Sequence, residues 1–81
     1  MIAEVFVTLK EGVLDPQGKA VASGLQALGF ADVKDVRVGK YITVALDGVS
    51  KAEAEERAEE MCQKLLANTV IEKFRYTIRE E

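Results

Sequence analysis

The chain has no histidine and no tryptophan, and only one cysteine, one proline, three phenylalanines and two tyrosines among 81 residues. Without histidine there is no imidazole to act as a general base or metal ligand near neutral pH. With Cys62 alone no disulfide can form within the chain, and a lone thiol points to a reducing compartment. Positive charge is also short: 11 Lys and Arg face 14 Asp and Glu, for a net charge of −3 and a sequence pI near 5.0. A nucleic-acid partner asks for a basic surface to neutralise phosphates, so that class of partner is not expected. No apolar run nears the roughly 20 residues that a membrane span requires. Met1 leads straight into an apolar strand with no basic segment or cleavage site, so no signal peptide is expected, no membrane partner, and a cytoplasmic location.

What remains is an ordinary globular composition, 48% hydrophobic and 31% charged. Eighty-one residues make a single domain, expected over 1–81. A domain this small buries only roughly 60–65% of its unfolded surface, and its core is thin. Disulfides being excluded, oligomerisation is the support left to it.

Six elements follow with short connections. Ile2 to Leu9 is rich in β-branched and aromatic residues and reads as a strand. Pro16 to Leu28 reads as a helix, with Asp15 as its N-cap and Pro16 at the first helical position. Val21, Leu25 and Leu28 share one face of it. Gly29 supplies a left-handed C-cap, and Phe30 is expected to fold back on Leu25. Val33 to Val38 and Tyr41 to Leu46 read as two strands joined by a hairpin at Gly39-Lys40. Ser50 to Leu66 is the clearest helix. It opens with the capping box Ser50-Lys51-Ala52-Glu53 and carries an apolar stripe of Ala54, Ala58, Met61, Cys62 and Leu65. Asn68 is its expected C-cap, and Val70 to Arg79 reads as the last strand. The order βαββαβ predicts an α+β, ferredoxin-like fold: a four-stranded antiparallel sheet with two helices on one face. Strand alternation sends Val5 and Val7 toward the helices. It leaves Ile2, Phe6, Tyr41, Ala45 and Ile71 on the open face. That face is apolar enough to be an oligomer interface.

The residues do not assemble a catalytic site. Cys62 lies on the core stripe with no base nearby in sequence, and reads as a small buried hydrophobe rather than a nucleophile. Glu53, Glu55, Glu56, Glu59 and Glu60 crowd one wet helix face and match no carboxylate metal loop. Lys10-Glu11-Gly12 precedes a helix start and could draw an anion there, but it also reads as a capped turn. Gly39-Lys40-Tyr41-Ile42 is faintly like the aromatic strand of RNA-recognition modules, without their spaced aromatics.

Three segments together resemble one family. They are KEGVLDPQGKAV from Lys10 to Val21, LGF with VRVGK between Leu28 and Lys40, and CQKLLANTVIEKFRY from Cys62 to Tyr76. Over nearly its full length the chain resembles the PurS family, the small subunit of phosphoribosylformylglycinamidine synthase. Thr69 stands where proline is usual in that family, and Lys73-Phe74 where an acidic-aromatic pair is more common. The resemblance implies a part in de novo purine (IMP) synthesis, at the step that turns formylglycinamide ribonucleotide into its amidine. It implies two partner proteins, a glutaminase subunit (PurQ) that releases ammonia and a synthetase subunit (PurL) that holds ATP, Mg²⁺ and substrate. It implies no cofactor and no chemistry in this chain. It also implies a homodimer or dimer of dimers that bridges the other two subunits. The other reading open at this point is a regulatory module of ferredoxin-like fold that binds a small molecule. Lys10, Gln17, Arg37 and Lys40 are polar, expected to be exposed, and unneeded by the core; they are the expected partner contacts.

Overall fold

The computed structural model describes residues 1–81. Strand β1 (Ile2–Leu9) is followed by helix α1 (Pro16–Ala27), strand β2 (Lys40–Ala45), helix α2 (Lys51–Met61) and strand β3 (Glu72–Arg79). The sheet is antiparallel with β1 in the centre, in the order β2-β1-β3. The α+β class and the inner-outer alternation are as read from the sequence. Ala3, Val5 and Val7 are buried against α2, while Ile2, Phe6 and Thr8 face the other way.

Two parts of the expected architecture are corrected. The sheet has three strands rather than four, because Val33 to Val38 pairs with no strand. A two-residue hairpin at Gly39-Lys40 would need positive φ at one or both residues. Neither has it; the only positive-φ residues are Gly12, Gly29 and Gly48. The chain therefore runs straight through Gly39 into β2. The second correction concerns α1, which does not lie on the sheet beside α2. Only Gly18 of its 12 residues is buried. Its apolar stripe is mostly uncovered, with Val21 44% and Leu28 76% exposed and Leu25 half-buried. Helix α1 and the extended residues 33–38 form an arm that leaves the sheet at the Leu9 end of β1.

The arm is ordered locally. The carboxylate of Asp15 caps α1 by accepting from the Gly18 N–H at 2.8 Å. At the other end Gly29 takes φ +101°. The Phe30 N–H donates to Leu25 O at 3.1 Å and the Gly29 N–H to Gln26 O at 3.0 Å, the bond pair expected of a Schellman cap. Gln26 reaches across the arm from α1 to donate to Val33 O at 3.0 Å.

Helix α2 packs Ala54, Ala58 and Cys62 flat on the sheet. Its capping box is complete: the Ser50 hydroxyl accepts from the Glu53 N–H, and the Glu53 carboxylate accepts from the Ser50 N–H. The helix ends in one π-helical turn, Cys62–Leu66, whose wider winding is closed by the Ala67 N–H on Cys62 O. That extra residue moves the stripe by one position. Leu66 packs on the core cluster of Val5, Val7, Cys62 and Ala67, while Leu65, expected inside, is 83% exposed. Asn68 caps the turn that follows instead of the helix. Its side-chain oxygen accepts from the Val70 N–H and its carbonyl from the N–H groups of Ile71 and Glu72, so β3 begins at Glu72.

Nine of the 81 residues are buried. The radius of gyration is 16.0 Å, where a compact chain of this length gives about 12 Å. The accessible surface is 5722 Å², against about 4,800 Å² for a folded monomer of this mass.

Candidate functional site

At the base of the arm, helix α1 and the 33–38 segment are joined through one side chain. Asp15 is 5% exposed and uses both carboxylate oxygens. Oδ1 accepts from the Gly18 N–H and Oδ2 from the Val38 N–H, each at 2.8 Å. The Gly18 N–H does most to hold the Asp15 carboxyl below its ordinary range. The Val38 N–H comes next, and the Arg37 charge and the Gln17 N–H add to the effect. Two glycines allow the approach. A Cβ on Gly18 would fall 2.0 Å from Val36 O, and one on Gly39 would fall 2.6 Å from Val7 O.

Arg37 secures the neighbouring loop. Its guanidinium donates to Val13 O at 2.9 Å and to Lys10 O at 3.0 Å, closing residues 10–14 over the start of the arm. This corrects the reading of Arg37 as polar surface with no part in the fold. The backbone of Lys10 is bound on both sides, because its N–H also donates to Ile71 O at 2.8 Å. The Lys10 side chain is exposed, and so is Gln17. Lys40 opens β2 opposite Val7, with its Nζ 3.6 Å from a Glu72 carboxylate oxygen. Gln17 and Lys40 line one small cavity of about 150 Å³ with Asp15, Gly39 and Glu72. All four expected contact residues thus share one end of the molecule, although Gly39-Lys40 makes no hairpin.

The open face of the sheet is more polar than alternation implied. Ile2 stands opposite Ala45 and Phe6 opposite Tyr41, as expected. Ile71 lies outside the sheet, in the turn before β3. The Phe6 and Tyr41 rings stack at 5.1 Å, and the Arg75 guanidinium lies over Phe6 at 3.9 Å. Glu4 accepts hydrogen bonds from the hydroxyls of Tyr41 and Thr77, and the Arg79 guanidinium is 3.4 Å away. These contacts, the Tyr41 hydroxyl first, keep the Glu4 carboxyl below its ordinary range, and the Glu4 carboxylate in turn pushes the Tyr41 phenol up.

On the other side of the sheet Cys62 is fully buried, and burial, with Glu59 adding, pushes its thiol up. A thiol held protonated is a poor nucleophile. Sequence reasoning missed the second acceptor role of Asp15, the close approaches at Gly18 and Gly39, and the cations of β3. The D-P-x-G spacing signals only the cap bond to Gly18; all of these depend on which segments meet.

Residues 2–80 match the family profile described as PurS: Phosphoribosylformylglycinamidine (FGAM) synthase. The chain is 48% identical over 77 residues to the phosphoribosylformylglycinamidine synthase subunit PurS of Bacillus subtilis, covering 95% of this chain and 90% of that one. It is 48% identical over 80 residues to the same subunit of Archaeoglobus fulgidus, covering 99% and 100%. A B. subtilis PurS crystal structure superposes with a TM-score of 0.85 at 47% identity, over 98% of both chains. The structure of PurLQS from Thermotoga maritima contains a chain that superposes with a TM-score of 0.80 at 26% identity, over 95% of this chain and 96% of that one. Full-length matches at this identity are accompanied by a shared fold, and on both grounds the chain belongs to the PurS family of phosphoribosylformylglycinamidine synthase.

Proposed function

We propose that the chain works as the bridging subunit of the synthase. It holds a glutaminase subunit (PurQ) and an ATP-dependent synthetase subunit (PurL) together and performs no bond-making step itself. ATP and Mg²⁺ belong to the synthetase subunit in this reading, and the complex works in the cytoplasm. The observation that carries it is the uncovered arm. A helix that leaves Val21 and Leu28 in water and Leu25 only half-buried is built for association. The surface in excess of a compact monomer, about 900 Å², is close to the roughly 800 Å² that each partner contributes to a standard interface. A second copy is the occupant that best fits the arm, giving a homodimer or a dimer of dimers. There the unpaired residues 33–38, with Val33, Val36 and Val38, supply the fourth strand that the single chain lacks. The matching chain in the structure of PurLQS from T. maritima supports the bridging role.

The chemistry explains why a subunit without reactive groups is useful. Ammonia released into water is protonated and diffuses away. Fixing the site that releases it beside the site that consumes it avoids that loss. Lys10, Gln17 and Lys40 remain the proposed contacts to the partner subunits at the arm end, with Arg37 shaping the loop between them. Reconstitution tests the reading. Leaving the chain out of a mixture of all three subunits should abolish synthesis from glutamine and spare synthesis driven by added ammonium. An unchanged glutamine-dependent rate without the chain would refute it.

A further inference from the structure

At the Thr8 end of the open face, cations gather around the aromatic pair. The register places Arg75 opposite Phe6 and Lys73 opposite Thr8, on one side of the sheet. Phe6, Thr8, Lys40, Tyr41, Lys73 and Arg75 line a shallow depression of about 670 Å³. Lys73 pairs with Glu11 at 2.9 Å and Lys40 with Glu72 at 3.6 Å, both lysines exposed. Such surface pairs exchange readily for others. Arg75 has no carboxylate within 4.0 Å; the five ion pairs of the chain leave it out. Its guanidinium carbon lies over the Phe6 ring, 3.9 Å from the centroid. Its N–H groups make no hydrogen bond or ion pair within the chain, and a guanidinium presents them in a fork that suits a carboxylate. On a chain of net charge −3, with five glutamates along α2, this is a local basic site whose principal cation has no counter-charge.

We infer that this end of the open face receives an acidic segment of another protein, with an aspartate or glutamate carboxylate seated between Arg75 and Lys73. Four occupants are conceivable, and the geometry separates them. A small anion would need most of its surface enclosed, which a shallow depression on a sheet does not provide. Nucleic acid would need a wide basic surface, and α2 is acidic. A second copy packed face to face by two-fold symmetry would offer Arg75 the same face, whose carboxylate Glu4 is already engaged by Tyr41, Thr77 and Arg79. A foreign chain carrying carboxylates meets the fork, the lysine and the aromatic ledge together. The inference rests on the bridging reading and adds the face used and the chemistry of the partner surface.

The test uses the complete complex. Binding of the chain to its glutaminase and synthetase subunits is measured at low and high salt, for wild type, Arg75→Gln and Lys73→Gln. Each substitution should weaken assembly by about tenfold or more and flatten the salt dependence. Arg75→Lys, which keeps charge without the fork, should fall between. Glu55→Gln, on α2, should leave affinity unchanged. If removal of Arg75 disturbs the Phe6 region, Lys73→Gln still gives the answer. Wild-type affinity and salt slope in both charge-removed variants would overturn the inference and leave the bridging reading standing. So would a change confined to self-association. Failure of the wild-type chain to assemble at all would overturn both.

Discussion

The same substitution at two positions of α1 should move stability in opposite directions. Gly24 sits in the exposed interior of the helix, and an added Cβ would meet nothing within 4 Å. Gly24→Ala should therefore stabilise by about 0.5–1 kcal/mol, the ordinary gain of alanine over glycine in a helix. Gly18→Ala earns the same local gain and loses more. Its Cβ would lie 2.0 Å from Val36 O and 2.9 Å from Asp15 Oδ2, where contacts under 3.0 Å are essentially never found. Relief requires the 33–38 segment to move away by about 1 Å. Overfilling of this kind costs about 1–3 kcal/mol, so the net effect after the helix gain is a loss of up to about 2.5 kcal/mol. With a urea m-value of about 1 kcal/mol/M for so small a chain, the midpoint should fall by up to about 2.5 M. Urea melts followed by far-UV circular dichroism at fixed protein concentration give the global value. Amide exchange across 18–28 shows whether the arm opens first. A Gly18→Ala chain stabilised like Gly24→Ala would mean that Val36 is not held against the helix, and the description of the arm would fail.

Other consequences follow from the same contacts. Because Asp15 titrates below its ordinary value of 3.8 in the folded chain, its contribution is complete above that pH and disappears as pH falls through the lower folded value. Asp15→Asn should flatten the acid limb of stability against pH, and acid melts that superimpose on wild type would rule this out. Cys62 should resist a thiol reagent at neutral pH until the chain unfolds, and Cys62→Ser should cost about 1–3 kcal/mol by burying a hydroxyl without a prepared partner; rapid labelling of the native chain would contradict its burial. Dilution below the self-association midpoint should lower helix content, because a 12-residue helix with two interior glycines is marginal when uncovered. Helicity independent of concentration, across a range where sedimentation shows dissociation, would count against the arm as the self-association element.

Local chemistry was legible in the sequence wherever a few adjacent residues decide the outcome. Asp15-Pro16, the Gly29-Phe30 cap and the Ser50-Glu53 box all appear where their side chains require them. The strand faces followed from alternation, and Cys62 from its place on the stripe of α2. The misreadings are those in which alternation is necessary but not sufficient. Val33 to Val38 has the pattern of a strand, yet a strand exists only where another segment offers its ladder, and no segment of this chain does. Leu65 followed helical spacing until one π turn shifted it outward. Arg37 looked like free surface because its acceptors, Val13 O and Lys10 O, lie 24 and 27 residues away in sequence. The Arg75 site needed the register of β1 and β3 before a cation and a ring could be placed together.

The failure of the four-stranded expectation bears on function. A sequence that patterns a strand and an amphipathic helix, then leaves both outside its own core, stays stable only if something else covers them. Within the chain, Asp15, Gly18, Gln26 and Arg37 shape the arm from local bonds but bury almost none of it. Those bonds define the geometry of the arm but leave its helix marginal until the apolar face is covered, so ordering of the arm and association are coupled. The two exposed surfaces also differ in kind. The arm is apolar and suits a copy of itself. The Thr8 end of the open face is cationic, and its own copy offers it only the engaged Glu4, so it suits an acidic partner. A small chain with one self-complementary surface and one suited to an acidic partner can dimerise and still present a face to a different protein, which is what a bridge requires.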